Sequence, residues 1–219
     1  TSRRKDYVGS WVSPDEIFSV ERIDHCLAKM KLGKSTGLDG ITVQHLRYAH
    51  PVIVSILHLI FVAVYSASLA PRLFYTTYTV PLPKDRDNVF KSVAVSDFRG
   101  IAISSVLSKL FENCLLISFV SYLTTKGNQF AYKRRVGCNH AIYVARKYID
   151  NAVLNGATAN ICGLDVAKAF PSVCHNKLFT ILMDRCLPVN FVAILEHWFL
   201  NSITCIRWCG FDSSSFPLQ

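Results

Sequence analysis

Between Val52 and Ala70 the chain runs VIVSILHLIFVAVYSASLA, without one Asp, Glu, Lys or Arg. A stretch of that length and polarity has two outlets. It crosses a bilayer, for which about 20 apolar residues are needed, or it becomes a long helix covered by a sizeable core. His58, Tyr65 and three Ser interrupt the run, and its flanks are not strongly charged on one side. The buried helix is the preferred reading and the membrane span the minority one. Composition agrees: 51% of residues are hydrophobic and 18% charged, enough apolar surface for a core and too little charge for a disordered chain.

The 219 residues suit one large domain or two small ones. Lys and Arg number 24 against 15 acids, a formal charge of +9. A basic globular chain commonly meets phosphate, as nucleic acid or as a membrane surface. Eight Cys lie at irregular spacings, most inside apolar runs such as Asn113-Cys114-Leu115-Leu116. That pattern reads as reduced core thiols of an intracellular protein. Cys205, Cys209 and His197 lack a paired CxxC knuckle, so a zinc site is not expected there. No signal peptide opens the chain. The first residue is Thr1, and Gln219 follows a strand-like segment and a Ser-rich turn. Both ends read as cuts in a longer polypeptide.

Local signals place the elements. Ser13-Pro14-Asp15-Glu16 opens a helix with a capping residue, Pro at the first helical position and acids at the positive dipole end. Ile17, Val20, Ile23, Leu27 and Met30 give it one apolar face, ending near Gly33. Gly33 to Gly40 is a glycine-rich loop, and Thr42 or Asp39 caps the helix that follows. Tyr75 to Val80 alternates as a strand, ended by Pro81-Leu82-Pro83-Lys84. Asp85 to Asp97 is a charged loop. Helices are expected over 105–123, 139–152, 177–186 and 191–200, and short strands over 159–164 and 204–208. Helices come first and strands mix in later, which is α+β and not a regular βαβ alternation.

The chemistry-bearing residues are few. The apolar run Ala159 to Leu164, broken by Asn160, delivers one carboxylate, Asp165, with Lys168 and Phe170 just beyond. Two-metal polymerases hold divalent ions with hard oxygen ligands at strand ends, and Asp165 fits that pattern while needing further acids from elsewhere. An ordinary solvent-facing Asp is the competing account. Phe170 reads as a sugar-pocket wall or as a core ring. Lys84 and Arg99 flank the charged loop, suited to gripping a triphosphate or simply solvated on a hairpin. Gly33-Lys34-Ser35 resembles the tail of a Walker A loop, but Ala28 stands where its first Gly belongs and a helix precedes it, so a tight turn is preferred.

Taken in order, the segments resemble the reverse transcriptase domain of non-LTR (LINE-type) retrotransposons. Gly33-Lys34-Ser35-Thr36-Gly37-Leu38-Asp39-Gly40-Ile41 is similar to that family's "GxDGI" element. Val80-Pro81-Leu82-Pro83-Lys84 with Asp97-Phe98-Arg99-Gly100-Ile101 is similar to its "PIPK … YRPI" pair, and Ser108-Lys109-Leu110-Phe111-Glu112 to its "KxFE" helix. Gln129-Phe130-Ala131-Tyr132-Lys133 resembles "QFGFR". Leu164-Asp165-Val166-Ala167-Lys168-Ala169-Phe170 resembles the first palm motif, "LDxxKAF". Ser215-Phe216-Pro217-Leu218-Gln219 resembles the approach to "GVRQG".

The resemblance implies an α+β right-hand polymerase fragment: an N-terminal helical extension over 1–32, fingers over 33–160 and the start of a palm over 161–219. It implies that Asp165 is catalytic and binds Mg²⁺ (or Mn²⁺) with the Val166 carbonyl, that Phe170 gates the sugar, and that Lys84 and Arg99 hold the incoming dNTP. The implied partners are an RNA template, a DNA primer and dNTPs, in cytoplasm and nucleus, without stable membrane association. Ala131 for Gly and Pro171 for an acid depart from the pattern. The "GVRQG" motif and the paired-Asp hairpin are not in the sequence, so these residues by themselves are expected to lack polymerase activity. A non-enzymatic, basic RNA-binding remnant is the alternative, and a small membrane protein the less favoured third.

Overall fold

The computed structural model describes residues 7–84, 94–125, 127–133, 135–166, 169 and 172–218. They form two compact units, one from 1–122 with 174–219 and a second from 123–173. These units group the chain by compactness, and their limits differ from the divisions of role expected at 32/33 and 160/161.

In the first unit, α1 (Pro14–Ile17) and α2 (Val20–Lys29) replace the single helix expected from the apolar spacing. Ser19 is the reason: its side chain accepts from Arg22 N at 3.3 Å and restarts the helix. The break also lets Phe18, one position off the apolar stripe, point into the core. α3 (Val43–Arg47) begins at Thr42, whose hydroxyl accepts from His45 N at 3.1 Å while the His45 ring accepts from Thr42 N. Thr42 is therefore the cap, and Asp39 is free for another task. Arg47 reaches back to the carbonyls of Leu27, Ala28 and Met30 at 2.7–2.8 Å, closing the C-terminal end of α2.

The long apolar run becomes α4 (Val52–Ala67), stopped by Ser68 in the left-handed region with φ of 55°. One face buries Val54, Leu57, Phe61 and Tyr65, while Ile56, Leu59 and Ile60 keep accessible surface. Among the described residues, no helix is long and apolar enough to cross a membrane. α5 (Arg72–Tyr75), α6 (Val106–Phe119), α8 (His175–Asp184) and α9 (Val189–Leu200) complete the helices of this unit.

Their common core is aromatic. Phe111 on α6 stacks on Phe18 with centroids 4.7 Å apart, and meets Phe61 and Phe74 at 5.2 and 5.3 Å. Phe74 in turn meets Trp198 of α9 at 5.3 Å. Edge-to-face and offset ring pairs add to the gain from burial itself. All eight Cys are free thiols. Cys26, Cys114 and Cys205 are buried as expected, whereas the other five are exposed, because their apolar runs are not covered. A hydrogen bond between Cys26 and Cys114 pulls the first thiol down and pushes the second up.

Among the described residues, five strands make one mixed sheet: β1 (Thr76–Pro83), β2 (Phe98–Ile103), β3 (Ile203–Trp208), β4 (Phe211–Asp212) and β5 (Phe216–Pro217), in the order β2-β1-β3-β4 with β5 also on β3. β1 pairs antiparallel with β2 and parallel with β3. Pro81 and Pro83 lie past Thr79, the last residue of β1 in register with β3. There β1 has only β2 beside it, so a missing N–H breaks no second ladder.

The second unit holds α7 (Cys138–Leu154). Its end is a Schellman turn: Gly156 at φ of +69° donates to Val153 O at 3.0 Å, and Ala157 to Ala152 O at 2.9 Å. No residue of α7 is buried. The strand expected over 159–164 is not formed, and 157–166 has no regular secondary structure. A β run needs a partner for its backbone donors and acceptors, and 157–166 forms no strand pairing among the described residues.

Candidate functional site

The antiparallel register of β1 and β2 runs from Tyr78 opposite Ile103 to Pro83 opposite Phe98, with Leu82 opposite Arg99. Side chains alternate across a strand, so Tyr78, Val80, Leu82 and, one step beyond β1, Lys84 form one row. Arg99, Ile101 and Ile103 stand beside them on the same face. Lys84 N donates to Asp97 O at 2.9 Å and its ammonium to Ser96 O at 2.6 Å. Asp97 in turn accepts from Ala94 N at 2.9 Å, in the short 3₁₀ turn Val95–Asp97 that enters β2. Lys84 and Arg99 are thus brought together at one end of the hairpin, both exposed.

A third cation joins this face unannounced by any motif. Tyr78 is in register with Cys205, which places Arg207 on the same side. Its guanidinium lies 4.0 Å from the Tyr78 ring centroid and makes two 2.7 Å bonds to Asp212. The carboxylate bonds raise the Arg207 pKa and hold Asp212 below the usual range. Alternation along Ile203–Trp208 was the available signal, but register with β1 was needed to read it.

The glycine-rich loop is a clasp. Asp39 accepts from Ser105 Oγ at 2.7 Å and from Ile41 N at 3.2 Å, and Ser105 Oγ also accepts from Leu107 N at the start of α6. Gly37 lies so close that an added Cβ would sit 2.8 Å from Ser105 Cα. The Tyr78 hydroxyl donates to Thr36 O at 3.0 Å. The loop is therefore tied to both α6 and β1.

Asp165 and Val166 lie in the second unit, exposed, on the irregular segment 157–166. The sheet end expected to present them is absent there. Phe170, with Lys168, lies outside the described residues. Among the described residues no group of three or more His, Cys, Asp or Glu could hold a metal ion.

The chain is similar to a retrotransposon polyprotein. It shares 24% identity over 190 residues with the retrovirus-related Pol polyprotein from type-2 retrotransposable element R2DM of Drosophila melanogaster. The match takes in 86% of this chain, which spans only 17% of that protein's length. No family model matches.

Proposed function

We propose that the chain is the fingers and the beginning of the palm of a non-LTR retrotransposon reverse transcriptase, an RNA-directed DNA polymerase. The observation that carries this reading is the hairpin register that sets Lys84 and Arg99 together on one exposed face. Lys offers a compact point charge and Arg two parallel donors to a phosphate. The similarity to a retrotransposon Pol polyprotein supports the same assignment. In this reading Lys84 and Arg99 hold the dNTP phosphates, Phe170 bounds the sugar, and Asp165 with the Val166 carbonyl serves Mg²⁺ alongside acids from other parts of the longer protein. RNA template and DNA primer would follow the basic surface.

Equilibrium binding of a dNTP to the chain tests the assignment. Lys84→Ala and Arg99→Ala are each expected to weaken binding by about tenfold, with Lys177→Ala as an unaffected control. Equal affinity in all four proteins overturns it. Primer extension on these residues alone is expected to show no incorporation. Salt-dependent RNA binding without any dNTP binding would instead identify a non-enzymatic RNA-binding remnant.

A further inference from the structure

A cavity of about 270 Å³ opens where α2, α3 and the start of α4 meet. It falls just short of the about 300 Å³ at which pockets for drug-sized ligands begin, so it has room for one ring system. Its floor is apolar: Leu27 of α2, Leu46 of α3 and Val54 of α4 line it and are buried. Asp24 and Ala28 share the Leu27 face of α2, and both are exposed at the rim. Of the described residues lining the cavity, Asp24 and Arg47 alone carry charge. The Asp24 carboxylate makes no hydrogen bond or ion pair with a described residue. Arg47 is already engaged. Its Nη2 donates to the carbonyls of Leu27, Ala28 and Met30 at 2.7–2.8 Å. The planar guanidinium is thereby fixed before any ligand arrives, which lowers the ordering cost of binding.

These two charges select the ligand. An anion meets a like charge in Asp24, and a cation meets one in Arg47. A neutral ring with one polar hydrogen gains from both. We infer that this cavity seats a single neutral aromatic ring bearing an N–H or O–H group, an indole or a phenol, with the ring on the apolar floor, its π face toward the Arg47 guanidinium and its donor on the Asp24 carboxylate. A guanidinium over an aromatic face is attracted by the ring quadrupole. An ionised carboxylate only accepts hydrogen bonds, and a bond to it is stronger than one between neutral groups. Apolar burial of the ring supplies the rest. The ring belongs either to a free small molecule or to a Trp or Tyr side chain of a protein segment, and both present the same chemistry. None of the residues assigned to reverse transcription takes part, so the site stands or falls apart from that reading.

Methyl NMR on the full chain tests this. Indole, indene and an end-blocked peptide with one Trp between glycines are titrated separately while the methyl signals of Leu27, Leu46 and Val54 are followed. Saturable shifts confined to these three, with Ile194 of the core unmoved, are expected with indole. Indene, which has the same rings with a methylene in place of the N–H, is expected to bind about tenfold more weakly, and Asp24→Ala to remove that difference. Ala28→Leu puts a larger side chain at the rim from an exposed position in α2 and is expected to abolish saturation, whereas Lys177→Ala is expected to leave it unchanged. Saturation by the peptide as well as indole assigns the site to a protein side chain, and saturation by indole without the peptide assigns it to a free aromatic molecule. No saturable shifts, shifts scattered over the surface, equal affinity for indole and indene, or binding untouched by Ala28→Leu overturns the proposal. Circular dichroism of each variant separates lost binding from lost folding.

Discussion

α6 and α7 are helices of similar length with similar apolar content, and they meet opposite fates. α6 buries Val106, Leu110, Phe111, Cys114, Leu115 and Phe119. α7 carries Ile142, Tyr143, Val144, Tyr148 and Val153 and buries none of them. Helical propensity and apolar spacing are satisfied in both. The difference is the presence of covering elements: α6 has α2, α1 and α5 against it, whereas the second unit offers α7 no comparable layer. An amphipathic pattern specifies a face, and burial depends on what meets that face.

The contrast is broken or upheld most sharply by truncating one aromatic on each helix. Phe111 touches Phe18, Phe61 and Phe74 at centre distances near 5 Å. Phe111→Ala is expected to destabilise the chain by about 3–5 kcal/mol, since it loses transfer free energy and leaves a cavity. Tyr148→Ala, on a side chain 71% exposed, is expected to change stability by about 0.5 kcal/mol or less. Urea denaturation measures both. A large loss from Tyr148→Ala would mean that α7 is covered after all.

Where the pattern and the partner lie close together in the chain, the structure was legible from sequence. Thr42 with His45, Ser105 with Leu107, and Pro51 before α4 follow local rules, and those helices start where expected. The failures have non-local causes. The spacing from Ile17 to Leu27 runs unbroken through Ser19, and the Ser19 cap that restarts the helix is backed by the burial of Phe18 in the aromatic core, which the spacing does not show. The segment Ala159 to Leu164 has strand-like residues, but a strand is a property of a pair, and the pairing partner is not written in the segment. The site divides the same way. Lys84 and Arg99 meet through the pairing of β1 with β2, two strands close together in the chain. Arg207 joins that face only through the parallel pairing of β1 with β3, which links segments far apart in the chain.

Backbone packing gives a second test of the same contrast, with a smaller effect. Gly37 and Gly163 are both glycines in loops. At Gly37 a Cβ would meet the Ser105 backbone at 2.8 Å, while at Gly163 nothing lies within 4 Å. Gly37→Ala is expected to cost about 1–3 kcal/mol, because backbone must shift and the clasp to α6 loosens. Gly163→Ala is expected to fall within about 0.5 kcal/mol of the unsubstituted chain. Asp39→Ala provides an independent probe of the clasp. It leaves the nearly fully buried Ser105 hydroxyl without its acceptor, with an expected loss of about 1–3 kcal/mol. If Gly163→Ala equals Gly37→Ala in thermal denaturation, the segment 157–166 is packed as tightly as the clasp and the contrast between the units fails.

The smallest expected effect belongs to Glu112, where enclosure acts on a charge. Desolvation raises its pKa in the folded chain, and Lys109 opposes the rise. The folded state therefore holds the proton more tightly than the unfolded one. Between the ordinary carboxylate pKa and the raised folded value, the native chain binds more protons, so stability falls as pH increases through that window. The relative stabilisation is complete below the unfolded pKa and gone above the folded one. Glu112→Gln removes this titration and mimics the protonated form. Its stability relative to the unsubstituted chain is expected to rise as pH passes through the window and then level off at neutral pH. The Lys109 charge keeps the effect modest, as does the solvent that reaches the carboxylate. Urea midpoints of both proteins across the acidic range measure it. If the Gln variant gains nothing at neutral pH relative to acid pH, Lys109 outweighs the desolvation and the carboxylate is better solvated than its surroundings suggest.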